Sequence, residues 1–146
     1  MSDLRPGETT LDLPAATDAG IYFIGRIRTP WMAIGAAPHR GDLDGPVCTI
    51  EVFEPFVPAL AGIGRHARIE VFYWLHLSRR DLAMLAPAHE GHLRGTLSLR
   101  SPVRPNPIGT SIVRLVGIDG GTLRVQGLDC LDGTPLIDLK PERRPG

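Results

Sequence analysis

This chain of 146 residues has few cysteines and no excess of charge of either sign. Each of these absences argues against a class of function. Its two cysteines, Cys48 and Cys130, lie in apolar runs without C-x-x-C spacing. We therefore interpret them as reduced core residues of a cytoplasmic protein, not as a redox or metal motif. The 16 basic and 16 acidic residues give a formal net charge of zero. That balance argues against a dedicated nucleic-acid binder, whose binding surface is normally basic.

Long apolar runs are missing as well. No stretch approaches the length of a membrane span, and Met1–Gly20 lacks the basic segment followed by an apolar one that marks a secretory signal. A P-loop lysine pattern and a G-x-S-x-G elbow are also absent. The length and an apolar content of 42% predict one domain with its own core. We expect a flexible N-terminal arm over residues 1–20 and a single domain over residues 21–146.

Short apolar segments separated by glycine and proline follow the arm. Seven of them have the length and composition of strands, over residues 21–28, 47–53, 69–75, 95–99, 111–118, 122–128 and 136–139. Asp119-Gly120-Gly121 is a hairpin signal between two of these strands, and short helices are predicted over residues 55–63 and 79–85. The pattern predicts a mainly β protein, a small single-sheet β-barrel with one or two short helices and no Rossmann fold.

The most informative segment is Arg100-Ser-Pro-Val-Arg-Pro-Asn-Pro-Ile-Gly109, which we call the proline loop. Its three prolines fix φ and remove backbone donors, so it can be neither a helix interior nor a central strand. We expect a stiff, extended loop that displays Arg100, Arg104 and Asn106. The alternative is an ordinary β-connection decorated with surface arginines.

A second segment, Gly127-Leu-Asp-Cys-Leu-Asp-Gly-Thr-Pro135, ends in a predicted tight turn. In that turn Asp132 or Thr134 is expected to bond local backbone amides. Exposed backbone N–H and C=O groups of such a turn also suit reading the edge of a purine. A plain hairpin turn explains the same residues.

Three further patterns in the sequence bear on its possible chemistry. Gly62-Ile-Gly-Arg-His-Ala67 matches G-x-G-x-x-A, but the predicted order of helix and strand around it is the reverse of a dinucleotide site. His89 and His92 are closely spaced without a third ligand nearby, so we expect no metal. His76 ends the most apolar strand, where it is either a hydrogen-bonded cap or part of a pocket rim.

Together these segments resemble the TsaA-like, or TrmO-type, S-adenosylmethionine-dependent tRNA methyltransferases. The proline loop with Thr110 and Ser111, the second segment and Asp138-Leu-Lys-Pro141 carry the resemblance, and weaker matches extend it over residues 21–141. The resemblance implies a dimeric barrel that binds S-adenosyl-L-methionine without a Rossmann fold. It also implies methylation of the exocyclic amine of threonylcarbamoyl-adenosine, on the 3′ side of the tRNA anticodon.

The resemblance also implies a set of site residues. The cofactor-binding residues would be Pro38, His39, Arg40, His76, Arg100, Leu128, Asp132, Gly133, Thr134 and Pro135. The candidate catalytic residues are Asn106 and Arg104. By analogy with the Asn/Asp-Pro-Pro loops of other amino-methyltransferases, Asn106 would orient the attacking amine. The alternative is that Asn106 only braces the loop.

The chain departs from the family pattern at several positions. Pro38-His39-Arg40 stands where Pro-Arg-Gln is usual, Leu77 replaces a glutamine and Glu142 replaces an aromatic residue. A second function therefore stays open, that of a diverged member. Such a member would methylate another small amine or nucleoside, or bind the donor as a regulatory protein without turnover.

Overall fold

The computed structural model describes residues 3–87 and 91–143, which group into two compact units. One, which we call the sheet unit, comprises the described parts of Met1–Gly20 and Leu75–Ile108. The other, the barrel unit, comprises Ile21–Trp74 and the described part of Gly109–Gly146. The mobility of the N-terminal arm and the domain boundary at residue 21 stay predictions.

Strands are the main regular structure of the described residues. They are β1 (Thr9–Thr10), β2 (Gly25–Arg28), β3 (Val47–Val52), β4 (Arg68–Trp74), β5 (Leu82–Leu85), β6 (Arg94–Gly95), β7 (Ile108–Asp119), β8 (Thr122–Gln126) and β9 (Pro135–Pro141). Short 3₁₀ turns lie at Val57–Leu60, Ile63–Arg65 and Thr96–Ser98. The helix predicted over residues 55–63 is therefore shorter and tighter than expected, because only Val57–Leu60 form a 3₁₀ turn within it and the next turn begins at Ile63.

Six strands close into a barrel in the order β2-β3-β8-β7-β4-β9, which confirms the predicted fold class. Side chains alternate across each strand, and the inward positions are apolar. Fully buried side chains from all six strands fill the interior, namely Ile27, Ile50, Ile69, Val71, Val113, Leu123, Val125 and Leu136. Such an interior is a packed core and not a channel.

The sheet unit contains the three-stranded sheet β1-β5-β6. The helix predicted over residues 79–85 is wrong, because Leu82–Leu85 form β5 and pair with β1 on one side and β6 on the other. Pairing at both edges supplies β5 with backbone partners that outweigh a weak local helix preference. The strand predicted over residues 95–99 is also wrong, since β6 ends at Gly95 and a 3₁₀ turn follows it.

The predicted hairpin is present between β7 and β8. Asp119 pairs with Thr122, and Gly120 adopts φ 59°, a left-handed conformation that favours glycine in such turns. The register of this hairpin shifts between Leu115 and Gly117, so Val116 is an extra residue in β7. A bulge of this kind bends and twists the strand locally.

Candidate functional site

The turn at Asp132 is held to the start of the barrel through its carboxylate. Asp132 Oδ1 accepts from the Thr29 backbone N–H at 3.1 Å, and Oδ2 lies 3.5 Å from Arg28 Nη1. Arg28 also donates to Glu51 at 2.8 Å, and that contact is the larger cause of its raised pKa. Asp132 thus bonds a distant backbone amide, where the sequence predicted a local one.

The backbone amides of this turn are already used. The N–H groups of Asp132, Gly133 and Thr134 donate to the carbonyls of Trp31, Ile27 and Leu131 at 2.8, 2.8 and 3.3 Å. The N–H groups that the sequence suggested for reading a base edge are therefore occupied within the barrel unit. Thr134 is buried, and its hydroxyl donates to the Leu131 carbonyl at 2.7 Å.

A close approach of two glycines brings the Pro38-His39-Arg40 tripeptide to the second segment. A Cβ at Gly41 would overlap the carbonyl group of Gly127, so only glycine permits this contact. The tripeptide ends directly before Gly41 and is exposed, while Leu128 directly after Gly127 is 2% exposed. Two of the predicted elements of the donor site are thereby adjacent in the barrel unit.

A buried hydroxyl network fixes the next residue of the second segment. Tyr73 Oη donates to Asp129 Oδ1 at 2.6 Å and lies 2.8 Å from Ser111 Oγ, which donates to the same carboxylate oxygen at 3.2 Å. Burial, followed by the nearby Asp129 charge, raises the pKa of Tyr73. The phenol therefore stays protonated and keeps donating to Asp129.

Replacing Tyr73 with phenylalanine is expected to lower the free energy of unfolding by about 1.5–3 kcal/mol, the usual cost of removing a hydrogen bond to a charged group. The ring would remain in place, but Asp129 would lose its shorter hydroxyl donor. Urea denaturation measures the change. Tyr22→Phe is the matched control, because Tyr22 is 78% exposed. An equal, small effect of both substitutions would contradict the role of the network.

In the sheet unit, residues 99–107, which directly precede β7, form neither helix nor strand, as the three prolines predicted. Arg104 braces the proline loop from within, since its Nη1 donates to the Leu99 and Ser101 carbonyls at 2.7 and 3.2 Å. Arg80 braces it from outside by donating to the Pro105 carbonyl at 2.6 Å. A second nitrogen of Arg80 lies 3.4 Å from Asn106 Oδ1.

The predicted site residues divide between the two units. The barrel unit holds Pro38, His39, Arg40, Leu128 and the turn Asp132-Gly133-Thr134-Pro135, whereas the sheet unit holds His76, Arg100, Arg104 and Asn106. His76, Arg100 and Asn106 are exposed, and Arg104 is half-buried. The binding and catalytic roles of all these residues stay predictions.

Sequence reasoning missed three contributors to these elements, namely Arg28, Tyr73 and Arg80. A tyrosine at an inward position of an apolar strand was a usable signal, because a buried phenol needs a partner. No comparable signal in the sequence pointed to Arg80, because the segment over residues 79–85 was predicted to be a helix.

Neither a cluster of metal-ligating side chains nor a membrane-spanning helix is present among the described residues. Within residues 3–87 and 91–143, no group of three or more His, Cys, Asp or Glu side chains is placed to hold a metal ion. His89 of the closely spaced histidine pair lies outside the described residues. The same ranges contain no helix with the length and apolarity that crossing a membrane requires.

Comparison with known proteins gives a consistent result. The family model for the tRNA-methyltransferase O N-terminal domain matches residues 26–143. The "Probable S-adenosyl-L-methionine-binding protein VirR" of Rhizobium radiobacter is 51% identical over 140 residues, which are 96% of this chain and 80% of the relative. A "Probable S-adenosyl-L-methionine-binding protein" of Archaeoglobus fulgidus is 42% identical over 118 residues, which are 81% of this chain and 32% of the relative.

A solved structure points to the same family as these sequence relatives. The crystal structure of TrmO from Pseudomonas aeruginosa matches with a TM-score of 0.70 and 32% identity, over 87% of this chain and 57% of that chain. The chain thus spans little more than half of that protein. Because the family model covers most of the sequence and a relative matches almost all of it, the chain belongs to the family of the tRNA-methyltransferase O N-terminal domain.

Proposed function

We propose that this protein is an S-adenosyl-L-methionine-dependent methyltransferase that modifies the exocyclic amine of threonylcarbamoyl-adenosine next to the tRNA anticodon. The observation that carries the proposal is the family match over residues 26–143, which includes both the proline loop and the Asp132 turn. Two relatives are named for binding S-adenosyl-L-methionine, which supports the donor. The proposal includes a homodimer that works in the cytoplasm.

The residues of the barrel unit fit the donor's chemistry. The Gly41 and Gly127 contact leaves no room for a side chain and sets the exposed Arg40 beside the second segment. A guanidinium such as Arg40 suits a bidentate contact to the donor's carboxylate. Asp132 keeps acceptor capacity beyond its contacts with Thr29 and Arg28, because a carboxylate has about four acceptor positions. That capacity suits the donor's amino group or ribose hydroxyls.

In the sheet unit, Arg100 suits the same carboxylate chemistry. Arg100 is exposed, and within the described residues it has no hydrogen-bond or ion-pair partner. Arg104 differs, because it already donates to two loop carbonyls. We therefore assign Arg104 to holding the loop in shape and Arg100 to contacting a ligand.

Positioning is the main task of the protein groups in this reaction. When bound, the donor supplies an electrophilic methyl group on a sulfonium centre. The protein must aim the amine's lone pair at that methyl, and alignment of this kind can supply up to about 7–11 kcal/mol of a barrier. Asn106 Oδ1 has two lone pairs, and the 3.4 Å contact with Arg80 engages one of them. The second can accept a hydrogen bond from the amine N–H and so orient the lone pair.

Replacing Asn106 with alanine is therefore expected to lower kcat by about 10²-fold, within the range typical of lost positioning groups, and to leave KM for the donor near its original value. Steady-state methyl transfer to tRNA measures both constants. Arg80→Ala is the companion variant, because it removes the brace and keeps the Asn106 amide. If Asn106 only braces the loop, the two variants will change kcat by the same factor.

The test of the acceptor is mass spectrometry of anticodon-loop nucleosides from cells that lack the protein. We expect the methylated threonylcarbamoyl-adenosine to disappear and its unmethylated precursor to accumulate. Restoring the gene should restore the methylated nucleoside. An unchanged nucleoside profile would contradict this acceptor.

One observation favours a second function, that of a donor-binding protein with a different acceptor or no turnover. The relative with 51% identity is named for S-adenosyl-L-methionine binding alone, and this chain has no net positive charge. Strong donor binding without salt-sensitive affinity for tRNA would support that alternative, since contacts to several phosphates make affinity fall steeply with added salt.

A further inference from the structure

The G-x-G-x-x-A segment, which the proposed methyltransferase site does not use, forms one wall of a groove on the barrel unit. The groove has a volume of about 440 Å³ and is lined by residues 64–67 and 115–118. The Leu115 N–H donates to the Ala67 carbonyl at 2.9 Å, which ties the two walls together. Gly64 faces the Ile118 side chain, 3.3 Å from where a Cβ would lie. A 3₁₀ turn of three residues and then β4 follow Gly62, so no long helix is present to receive a dinucleotide.

Basic side chains without partners in the described part of the chain surround this groove. Arg65 and His66 belong to one wall and are exposed. Arg124 of β8 lies against the other wall, because its guanidinium occupies the space where a Gly117 side chain would be. Within the described residues, none of these three side chains has a hydrogen-bond or ion-pair partner. Arg68 is the contrasting case, since it is paired with Glu142.

The floor between these basic side chains is apolar and open to solvent. Val116 and Ile118 line the groove and are 44% and 41% exposed. Val116 is the extra residue at the register shift of β7, and such bulges commonly redirect side chains at the edge of a site. Guanidinium groups around an exposed aliphatic floor match a ligand that presents phosphates together with sugar and base surfaces.

We propose that this groove binds the phosphodiester backbone of tRNA through Arg65, His66 and Arg124. The choice of tRNA rests on the proposed function, but the binding itself requires no methyl transfer. Although the whole chain has no net charge, the groove wall at residues 64–67 contains the basic residues Arg65 and His66 and no acid. The groove thus supplies the local positive surface that the overall composition does not suggest.

The test is binding of an unmodified tRNA transcript, followed by fluorescence anisotropy at several salt concentrations. We expect the double variant Arg65→Ala/Arg124→Ala to lose at least about tenfold in affinity, and the slope of log Kd against log salt to fall by about 1.5–2 for the two lost contacts. Arg65→Lys/Arg124→Lys should keep most of the slope, because it conserves charge. Urea denaturation of each variant confirms that the barrel is intact.

Arg26→Ala is the matched control. Arg26 is an exposed arginine on β2, which is three strands from β7 in either direction around the barrel. This control removes one charge from the opposite side of the barrel and should leave the salt slope unchanged. An equal effect per charge removed of Arg26→Ala and of Arg65→Ala/Arg124→Ala would overturn the proposal, because it would show a general charge effect.

The remaining outcomes separate the groove from the proposed function. If the groove variants bind tRNA as the original protein does, the groove proposal is wrong even where methyl transfer proceeds. If they instead change the oligomeric state at unchanged tRNA affinity, the groove is an interface between copies and the proposal is also wrong. If methyl transfer is never observed but tRNA affinity depends on the groove, the groove proposal stands and the proposed function fails.

Discussion

Replacing Asp132 with alanine is expected to weaken S-adenosyl-L-methionine binding by about 10- to 100-fold. The carboxylate accepts from the Thr29 N–H and lies near Arg28, and it holds the turn that we propose as part of the donor site. Most of the effect is expected from Thr29, because the Arg28 side chain is 42% exposed and solvent screens the pair. A hydrogen bond to a charged group is worth about 1.5–3 kcal/mol, and each 1.4 kcal/mol is a factor of ten in affinity.

Isothermal titration calorimetry with S-adenosyl-L-methionine measures this affinity. Two further variants separate the possible causes of a change. Asp132→Asn keeps an oxygen that can accept from the Thr29 N–H. If the affinity of Asp132→Asn for the donor is nevertheless reduced, the loss of the negative charge is the cause. Asp138→Ala is the control, because Asp138 is exposed and its Oδ1 accepts only from the neighbouring Leu139 N–H among the described residues. An Asp132→Ala protein that is folded and binds the donor normally would remove the turn from the site.

Replacing Gly41 with alanine is expected to have the second large effect. The new Cβ would overlap the Gly127 carbonyl, and backbone on both sides leaves no flexible side chain to yield. The loop must therefore move away from the second segment, at a cost of about 1–3 kcal/mol in the free energy of unfolding. Because that movement separates Arg40 from Leu128, we expect donor affinity to fall by about tenfold or more, the factor equivalent to 1.4 kcal/mol.

The matched control is Gly20→Ala, since nothing lies within 4 Å of a Cβ at Gly20. Thermal denaturation and donor titration of both variants separate the loss of stability from the loss of binding. Destabilisation without weaker binding would show that the tripeptide before Gly41 takes no part in holding the donor. Unchanged stability would show that the loop moves freely.

The barrel was predictable from sequence because its strands carry strong local signals. The signals for β3, β4 and the hairpin at Asp119-Gly120-Gly121 each lie within a short stretch of consecutive residues. In β3 and β4, buried residues alternate with more exposed ones. The larger errors lie in the sheet unit, where residues 82–85 form a strand only because β1 and β6 pair with them. Such distant pairing leaves little local pattern, so a helix-compatible segment was assigned wrongly.

The candidate site follows the same division. The proline loop and the Asp132 turn were visible because proline and glycine restrict the backbone locally. Their supports were not visible, since Arg28 and Asp132 are 104 positions apart and Tyr73 and Asp129 are 56 apart. The contact of Gly41 with Gly127 was hidden for the same reason. Motifs in the sequence therefore predicted the elements of a candidate site, and the fold shows how each element is held.

The central claim is methyl transfer to threonylcarbamoyl-adenosine, and one measurement tests it most directly. The purified protein is incubated with methyl-labelled S-adenosyl-L-methionine and tRNA that carries threonylcarbamoyl-adenosine, with the same tRNA lacking that modification as the control. The account predicts label in a methylated threonylcarbamoyl-adenosine after nucleoside digestion, and none in the control. Protein that binds the donor but leaves both tRNAs unlabelled, or labels both equally, would contradict it.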